Sequence, residues 1–222
     1  MKNWKELYDA KKMTSDEAVQ LIKSGDKVVF QHDVGEPEEL VRAMVRNAKN
    51  YKNVEISHMF SLGPGDYCKE EYKDNFHPNM WFVSGQTRKA TNTWGDYTSF
   101  FFHELPELMR EGVIKVDVVL INVSKPDKHG YVSTGVSGDY TVQAIKSAKT
   151  VIAQVNEHVP FSYGEAAFPL MEYADAIVEY DEYLPALPPS KIGPVEEEIG
   201  KYCASLIKDG ATLQLGIGSI PD

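Results

Sequence analysis

The eight residues Val116–Val123 (Val-Asp-Val-Val-Leu-Ile-Asn-Val) constrain the fold more than any other segment. An apolar, β-branched run of this length is too short for a buried helix and reads as a strand covered on both faces. Similar runs at Lys27–Gln31, Val54–Met59, Val151–Val155 and Ala176–Tyr180 are expected to be strands as well. Helical patterns lie between them. Thr14 with Glu17 makes a capping box ahead of Ala18, Val19, Leu21 and Ile22, and Gly25 ends that helix. A turn over His32–Pro37 leads into a second helix, with Glu36, Glu38 and Glu39 near its start and Arg42, Arg46 and Lys49 later, as the helix dipole favours. Leu40, Val41, Met44, Val45 and Ala48 recur there at helical spacing, and Val142–Ala148 reads as a third helix. Strands alternating with helices imply an α/β fold with a mostly parallel sheet and helices on both faces. Residues 60 to 103 are rich in Gly, Pro, Asn and aromatics, and periodicity decides little there.

Charge and cysteine content narrow the function. The 222 residues carry a formal net charge of −10 and no long Lys/Arg run, which argues against nucleic acid as a partner. No segment has the apolar length of a membrane span, and the N-terminus lacks a signal-peptide core. Cys68 and Cys203 are far apart and suit a reduced, cytoplasmic protein.

The last forty or so residues repeat a pattern seen near the start. Leu184–Pro194 holds four prolines and reads as a linker. A helix then starts at Pro194, carries Glu196–Glu198 in its first turn, turns Ile199, Cys203, Leu206 and Ile207 inward, and ends at Gly210. Ile22–Phe30 aligns with Ile207–Leu215, each a helix end, a glycine and an apolar run. A glycine-containing turn and a proline follow both, Pro37 and Pro221, with one residue of slip. Duplication accounts for this. The expected organisation is one α/β domain over residues 1–190, and over 191–222 the linker and the beginning of a second, similar domain. Leu213–Leu215 is expected to be the buried strand of that second copy, with the remainder of that domain covering its apolar surface.

Several motifs could carry chemistry. Gly216-Ile217-Gly218-Ser219-Ile220-Pro221 is a Gly-rich turn whose amides could face an oxyanion or phosphate, or it is a plain tight turn. Pro221 and Asp222 replace the end of G-x-G-x-x-G, which disfavours a nicotinamide site. His32 occupies the matching turn of the first copy, where α/β sheets bind ligands, and is either catalytic or structural. His58, His77, His103, His129 and His158 show no metal-ligand spacing, so no metal site is expected. No G-x-S-x-G elbow surrounds Ser124 or Ser133, so serine-hydrolase chemistry has no support. Arg88 could face an anion or form a surface ion pair. Glu104, Glu107, Glu165, Glu172 and Glu196–Glu198 are candidates by chemistry only.

Taken together, separated blocks resemble the acetyl-CoA hydrolase/transferase family. They are Gly216–Asp222, Ser57-His58-Met59, Phe101–Glu104, Ser124 with Pro126-Asp127 and Gly130, Ser137 with Asp139-Tyr140-Thr141, and Gln143–Lys149. The resemblance runs from Trp4 to Asp222. It implies two similar α/β domains with the active site between them, and a homo-oligomer. It implies transfer of CoA between a short-chain acyl-CoA (4-hydroxybutyryl- or butyryl-CoA) and a carboxylate such as acetate. Coenzyme A is then a substrate, with no permanently bound cofactor. The implied route is ping-pong, through an acyl–glutamyl anhydride and a glutamyl–CoA thioester. The family's nucleophilic glutamate is expected beyond Asp222, so no catalytic residue is carried onto this chain. Gly216, Ile217, Gly218, Ser219 and Ile220 match the CoA-binding loop, and His32 and Gln214 are weaker candidates for the acyl pocket. The alternatives are an acyl-CoA hydrolase of the same family and a non-catalytic α/β binding subunit.

Overall fold

The computed structural model describes residues 3–186, 188, 191–216, 218 and 220. The chain divides into two compact units, Met1–Pro185 and Ala186–Asp222. The first holds nine strands: β1 (Lys27–Phe30), β2 (Val54–Ser57), β3 (Phe76–Met80), β4 (Asp96–Tyr97), β5 (Val118–Val123), β6 (Tyr131–Ser133), β7 (Thr150–Val155), β8 (Ala167–Pro169) and β9 (Ala176–Glu179). Seven form one sheet in the order β4-β3-β2-β1-β5-β7-β9, and every neighbouring pair is parallel. β6 and β8 pair antiparallel as a separate ribbon. The α/β architecture read from the alternation of runs is the one observed.

All six residues of β5 are buried, and their side chains alternate between two cores. Val118 and Leu120 join Val28, Phe30 and Ile152 in one layer. Val119, Ile121 and Val123 join Val29, Ala153 and Val155 in the other. Seven helices cover the sheet: α1 (Trp4–Lys11), α2 (Ser15–Ala18), α3 (Glu38–Arg46), α4 (Arg88–Thr91), α5 (Leu105–Arg110), α6 (Tyr140–Ser147) and α7 (Leu170–Tyr173). Leu40, Val41, Ala43 and Met44 of α3 close the first layer. Leu105 and Met109 of α5, with Tyr140, Ala144 and Ile145 of α6, close the second. The stripe read at 40, 41 and 44 is thus the buried face of α3. The Thr14–Glu17 capping box forms, with Glu17 N–H donating to Thr14 Oγ1 at 3.2 Å and Thr14 N–H to Glu17 Oε2 at 2.9 Å. The α-helix it starts is short and passes into a 3₁₀ turn at Val19–Leu21.

Residues 60–103, where the sequence pattern was silent, supply β3, β4 and α4. β3 contains His77 and Pro78, which hide it from strand counting. Pro78 is tolerated because β4 pairs only with Asn79 and Met80, so no ladder bond is demanded of its missing N–H.

In the second unit, α8 (Pro194–Ser205) starts with Gly193 N–H donating to Glu196 Oε2 at 3.0 Å. Three expectations fail there. The helix ends at Ser205 rather than at Gly210. Ile199 is only half-buried, and Cys203, Leu206 and Ile207 are exposed, so the helix has no buried face. Leu213–Leu215 is not a strand: residues 211–216 have no regular structure, and Leu213 and Leu215 are exposed. A strand exists through its ladder partners, and among the described residues of this unit there is no strand to pair with.

Candidate functional site

Strand order reverses direction at β1. From there the chain builds outward through β2, β3 and β4 on one side and β5, β7 and β9 on the other. The crevice outside the carboxyl ends of β1 and β5 is therefore the switch point at which open α/β sheets bind ligands. Buried polar groups gather at that end. Gln31 extends β1, its N–H donating to Leu120 O at 3.0 Å. Its side chain spans the crevice: Nε2 donates to Thr134 O at 3.0 Å, and Oε1 accepts from Asn122 N–H at 2.9 Å. A Cβ on Gly35 would come within 2.5 Å of Gln31 Nε2, so the turn closes over this amide only because residue 35 is glycine.

His32 follows, and its Nε2 lies 2.8 Å from Asp139 Oδ2. The other carboxylate oxygen, Asp139 Oδ1, accepts from Thr141 N–H and Thr141 Oγ1, each at 2.9 Å, and so caps α6. Burial pushes the Asp139 carboxyl up, but the His32 bond and the Thr141 donors outweigh it and hold it below the usual aspartate range. An ionised Asp139 fixes the Nε2–H tautomer of a neutral His32 and leaves Nδ1 as a proton acceptor. Nδ1 is buried and has no partner among the described residues. The ring rests against Tyr140 (5.2 Å between centroids) and Phe102 (6.0 Å). Tyr140 in turn donates its hydroxyl to Phe30 O at 2.7 Å, tying α6 to the end of β1. A carboxylate-oriented imidazole of this kind can accept a proton or, protonated, hold an anionic oxygen.

The neighbouring histidine behaves differently. His58 is 1% exposed, stacks on Phe30 and contacts Tyr67 Oη through Nε2 at 2.6 Å. Burial pushes its pKa down to about 4, so it is a neutral core group. His77 is paired with Asp96 on the edge strands. Arg88 begins α4, is exposed and has no ion pair among the described residues. Glu107, Glu165, Glu172, Glu197 and Glu198 are exposed, and Glu104 accepts from the Phe101 amide.

Of the residues singled out from sequence, His32 sits at the switch point. Gln214, Gly216, Gly218 and Ile220 belong to the second unit, where Gln214 and Gly216 lie in exposed coil and Ile220 is about half exposed. Ile217 and Ser219 lie outside the described residues. Sequence reasoning about individual side chains passed over Gln31, Glu36 and Asp139. Only Asp139 had a local signal, an Asp two residues before Thr141 at a helix start. Among the described residues no cluster of three His, Cys, Asp or Glu could hold a metal, and no helix is long and apolar enough to cross a membrane.

Residues 1–188 match the acetyl-CoA hydrolase/transferase N-terminal domain. The 4-hydroxybutyrate coenzyme A transferase of Clostridium kluyveri is 50% identical over 99% of this chain and 51% of its own length. The crystal structure of 4-hydroxybutyrate CoA-transferase from Porphyromonas gingivalis superposes with a TM-score of 0.84 at 38% identity, covering 99% of this chain and 51% of that one. RipA from Yersinia pestis superposes with a TM-score of 0.93 at 30% identity, covering 99% and 52%. The chain thus spans about half the length of the curated relatives it matches.

Proposed function

The chain belongs to the acetyl-CoA hydrolase/transferase family, and from that premise we propose that it serves CoA transfer between a short-chain acyl-CoA, 4-hydroxybutyryl- or butyryl-CoA, and a carboxylate such as acetate. The observation that carries this reading is identity with a 4-hydroxybutyrate transferase sustained along nearly the whole chain. The polar crevice at the carboxyl ends of β1 and β5 supports it, because that is where the fold class takes substrate.

In this reading Gly216, Ile217, Gly218, Ser219 and Ile220 hold the thioester end of CoA through backbone donors, and His32 and Gln214 line the acyl pocket. Residues 1–190 form the N-terminal domain, and 191–222 open the next. Transfer proceeds by a ping-pong route through a glutamyl–CoA thioester, with the nucleophilic glutamate outside residues 1–222. The carboxylates of the first unit's crevice are engaged otherwise: Asp139 by His32 and Thr141, Glu36 by Ser61. Asp139-held His32 then supplies a proton acceptor or an anion partner for the incoming carboxylate. Coenzyme A is a substrate, the assembly is a homo-oligomer, and the free cysteines suit the cytoplasm.

The test is product formation by the protein isolated from its own cell. Butyryl-CoA with labelled acetate should give labelled acetyl-CoA, with no thioester loss when acetate is omitted. Loss independent of acetate would replace transfer by hydrolysis. Absence of both reactions and of any acyl-CoA binding would reduce the chain to a non-catalytic subunit.

A further inference from the structure

A buried carboxyl group lies between the turn after β1 and the turn after β2, and the reaction outlined above does not use it. Glu36 is 5% exposed. Its Oε2 accepts from Ser61 Oγ at 2.7 Å and more weakly from Gly63 N–H at 3.4 Å. Oε1 is buried with no partner among the described residues. A Cβ on Gly63 would stand 2.7 Å from Oε1, so a side chain there would push the Glu36 carboxyl aside. A backbone stitch runs alongside: Asp33, at φ +57°, donates its N–H to Phe60 O at 2.9 Å. Phe60 is thus held between two cross-turn links, its ring 5.6 Å from that of Phe82 at the rim of the sheet.

A role for Glu36 as a helix-dipole acid would leave it at the surface, as Glu38 is in part. It is instead surrounded. Glu38 of α3 and Glu182 beyond β9 face it with negative charge, while Tyr67 and Cys68 lie on the 66–68 turn and Tyr140 on α6. Arg42 bonds Glu38, Glu39 and Glu182 and makes no bond to Glu36. Burial first, then those acids, push the Glu36 pKa up to about 7 against the pull of Ser61 and Gly63.

We propose that Glu36 is a positioning residue for the acyl end of the substrate: its side chain locks the 60–65 turn, and Phe60 with it, onto the β1 turn that carries His32. This rests on the reading that a short-chain acyl-CoA binds at this end of the sheet. The lock depends on pH. A protonated Glu36 satisfies Ser61 without burying a charge. An ionised one leaves Oε1 charged with no donor, and water reaches it only if the 60–65 turn opens. For a carboxyl raised in the folded state, the stabilisation is fully present below the ordinary glutamate pKa and is lost as pH rises through about 7.

Hydrogen exchange of the intact protein isolated from its own cell, corrected for intrinsic rates, is measured beside butyryl-CoA affinity by calorimetry from pH 5.5 to 8.5. Glu36→Gln, Glu36→Ala and Ser61→Ala are compared with wild type. In wild type, opening of residues 60–65 should grow on the order of tenfold or more across this range, and butyryl-CoA affinity should fall with it. Glu36→Gln, which keeps an acceptor for Ser61, should flatten both pH profiles while preserving low-pH affinity. Glu36→Ala and Ser61→Ala should open the turn at every pH. If Glu36→Gln keeps the wild-type pH dependence, or Ser61→Ala changes neither exchange nor affinity, the inference is wrong. A turn that opens as expected without any change in affinity overturns the link to substrate. A wild-type intact protein that binds no butyryl-CoA sinks the CoA reading itself, and the exchange profiles still decide whether Glu36 holds the turn.

Discussion

The segments Ile22–Phe30 and Ile207–Leu215 carry nearly the same local pattern and reach opposite ends. In the first, Lys27–Phe30 is a strand between two parallel neighbours, and Val28, Val29 and Phe30 are fully buried. In the second, Leu213 and Leu215 lie exposed in irregular chain. A helix end, a glycine and an apolar run set a tendency. The strand itself comes from β2 and β5, which supply its ladder bonds and cover both faces. The turns that follow differ as well. After β1 the turn is built from side chains, with Gln31, His32 and Glu36 each bonded across to another element. At 216 and 218 the second has glycines and offers mainly backbone.

The sharpest way to test this contrast is to delete matching leucines. Leu120→Ala, in the fully buried layer of β5, should cost about 2–5 kcal/mol in urea unfolding, whereas Leu213→Ala should change stability by no more than about 0.5 kcal/mol. Equal losses would mean that Leu213 is packed. Next in size is Tyr140→Phe. It leaves the carbonyl of Phe30 without its donor at the end of β1 and should cost about 1–3 kcal/mol. A neutral result in the same titration would remove α6 as the element that fixes the first turn. Smaller again is Asp139→Ala, which removes the α6 cap and should cost about 0.5–2 kcal/mol at neutral pH. Because the Asp139 pKa is depressed in the folded protein, its contribution is present above the ordinary aspartate value of about 3.9 and fades as pH falls through the lower folded one. Wild type and variant should therefore converge in acid, and a gap that persists there would trace the cost to packing instead.

Some of this was legible in sequence and some was not, for physical reasons. β5 announces itself because a central parallel strand must be apolar on both faces. β3 does not, since its Pro78 is excused only by where β4 starts to pair. His32 and His58 cannot be told apart from their local context: both follow strands, yet one meets Asp139 and the other sits in the core beside Tyr67. Glu36 looked like one of three acids favouring a helix start, and its burial depends on Ser61 and Gly63, which lie twenty-five or more residues away in a stretch where no periodicity could be read. The inward face assigned to α8 followed from spacing alone, and spacing says nothing about whether a surface exists to receive it.

The central claim is that the turn carrying His32, at the carboxyl ends of β1 and β5, is where the first unit meets acyl-CoA. Titrating butyryl-CoA into the isotope-labelled protein from its own cell while following the His32 and His77 rings by NMR tests it directly. The expected result is a saturable shift of the His32 ring, with the His77 ring, near the opposite end of the sheet, unmoved. A shift centred on His77, or none that saturates, would contradict it.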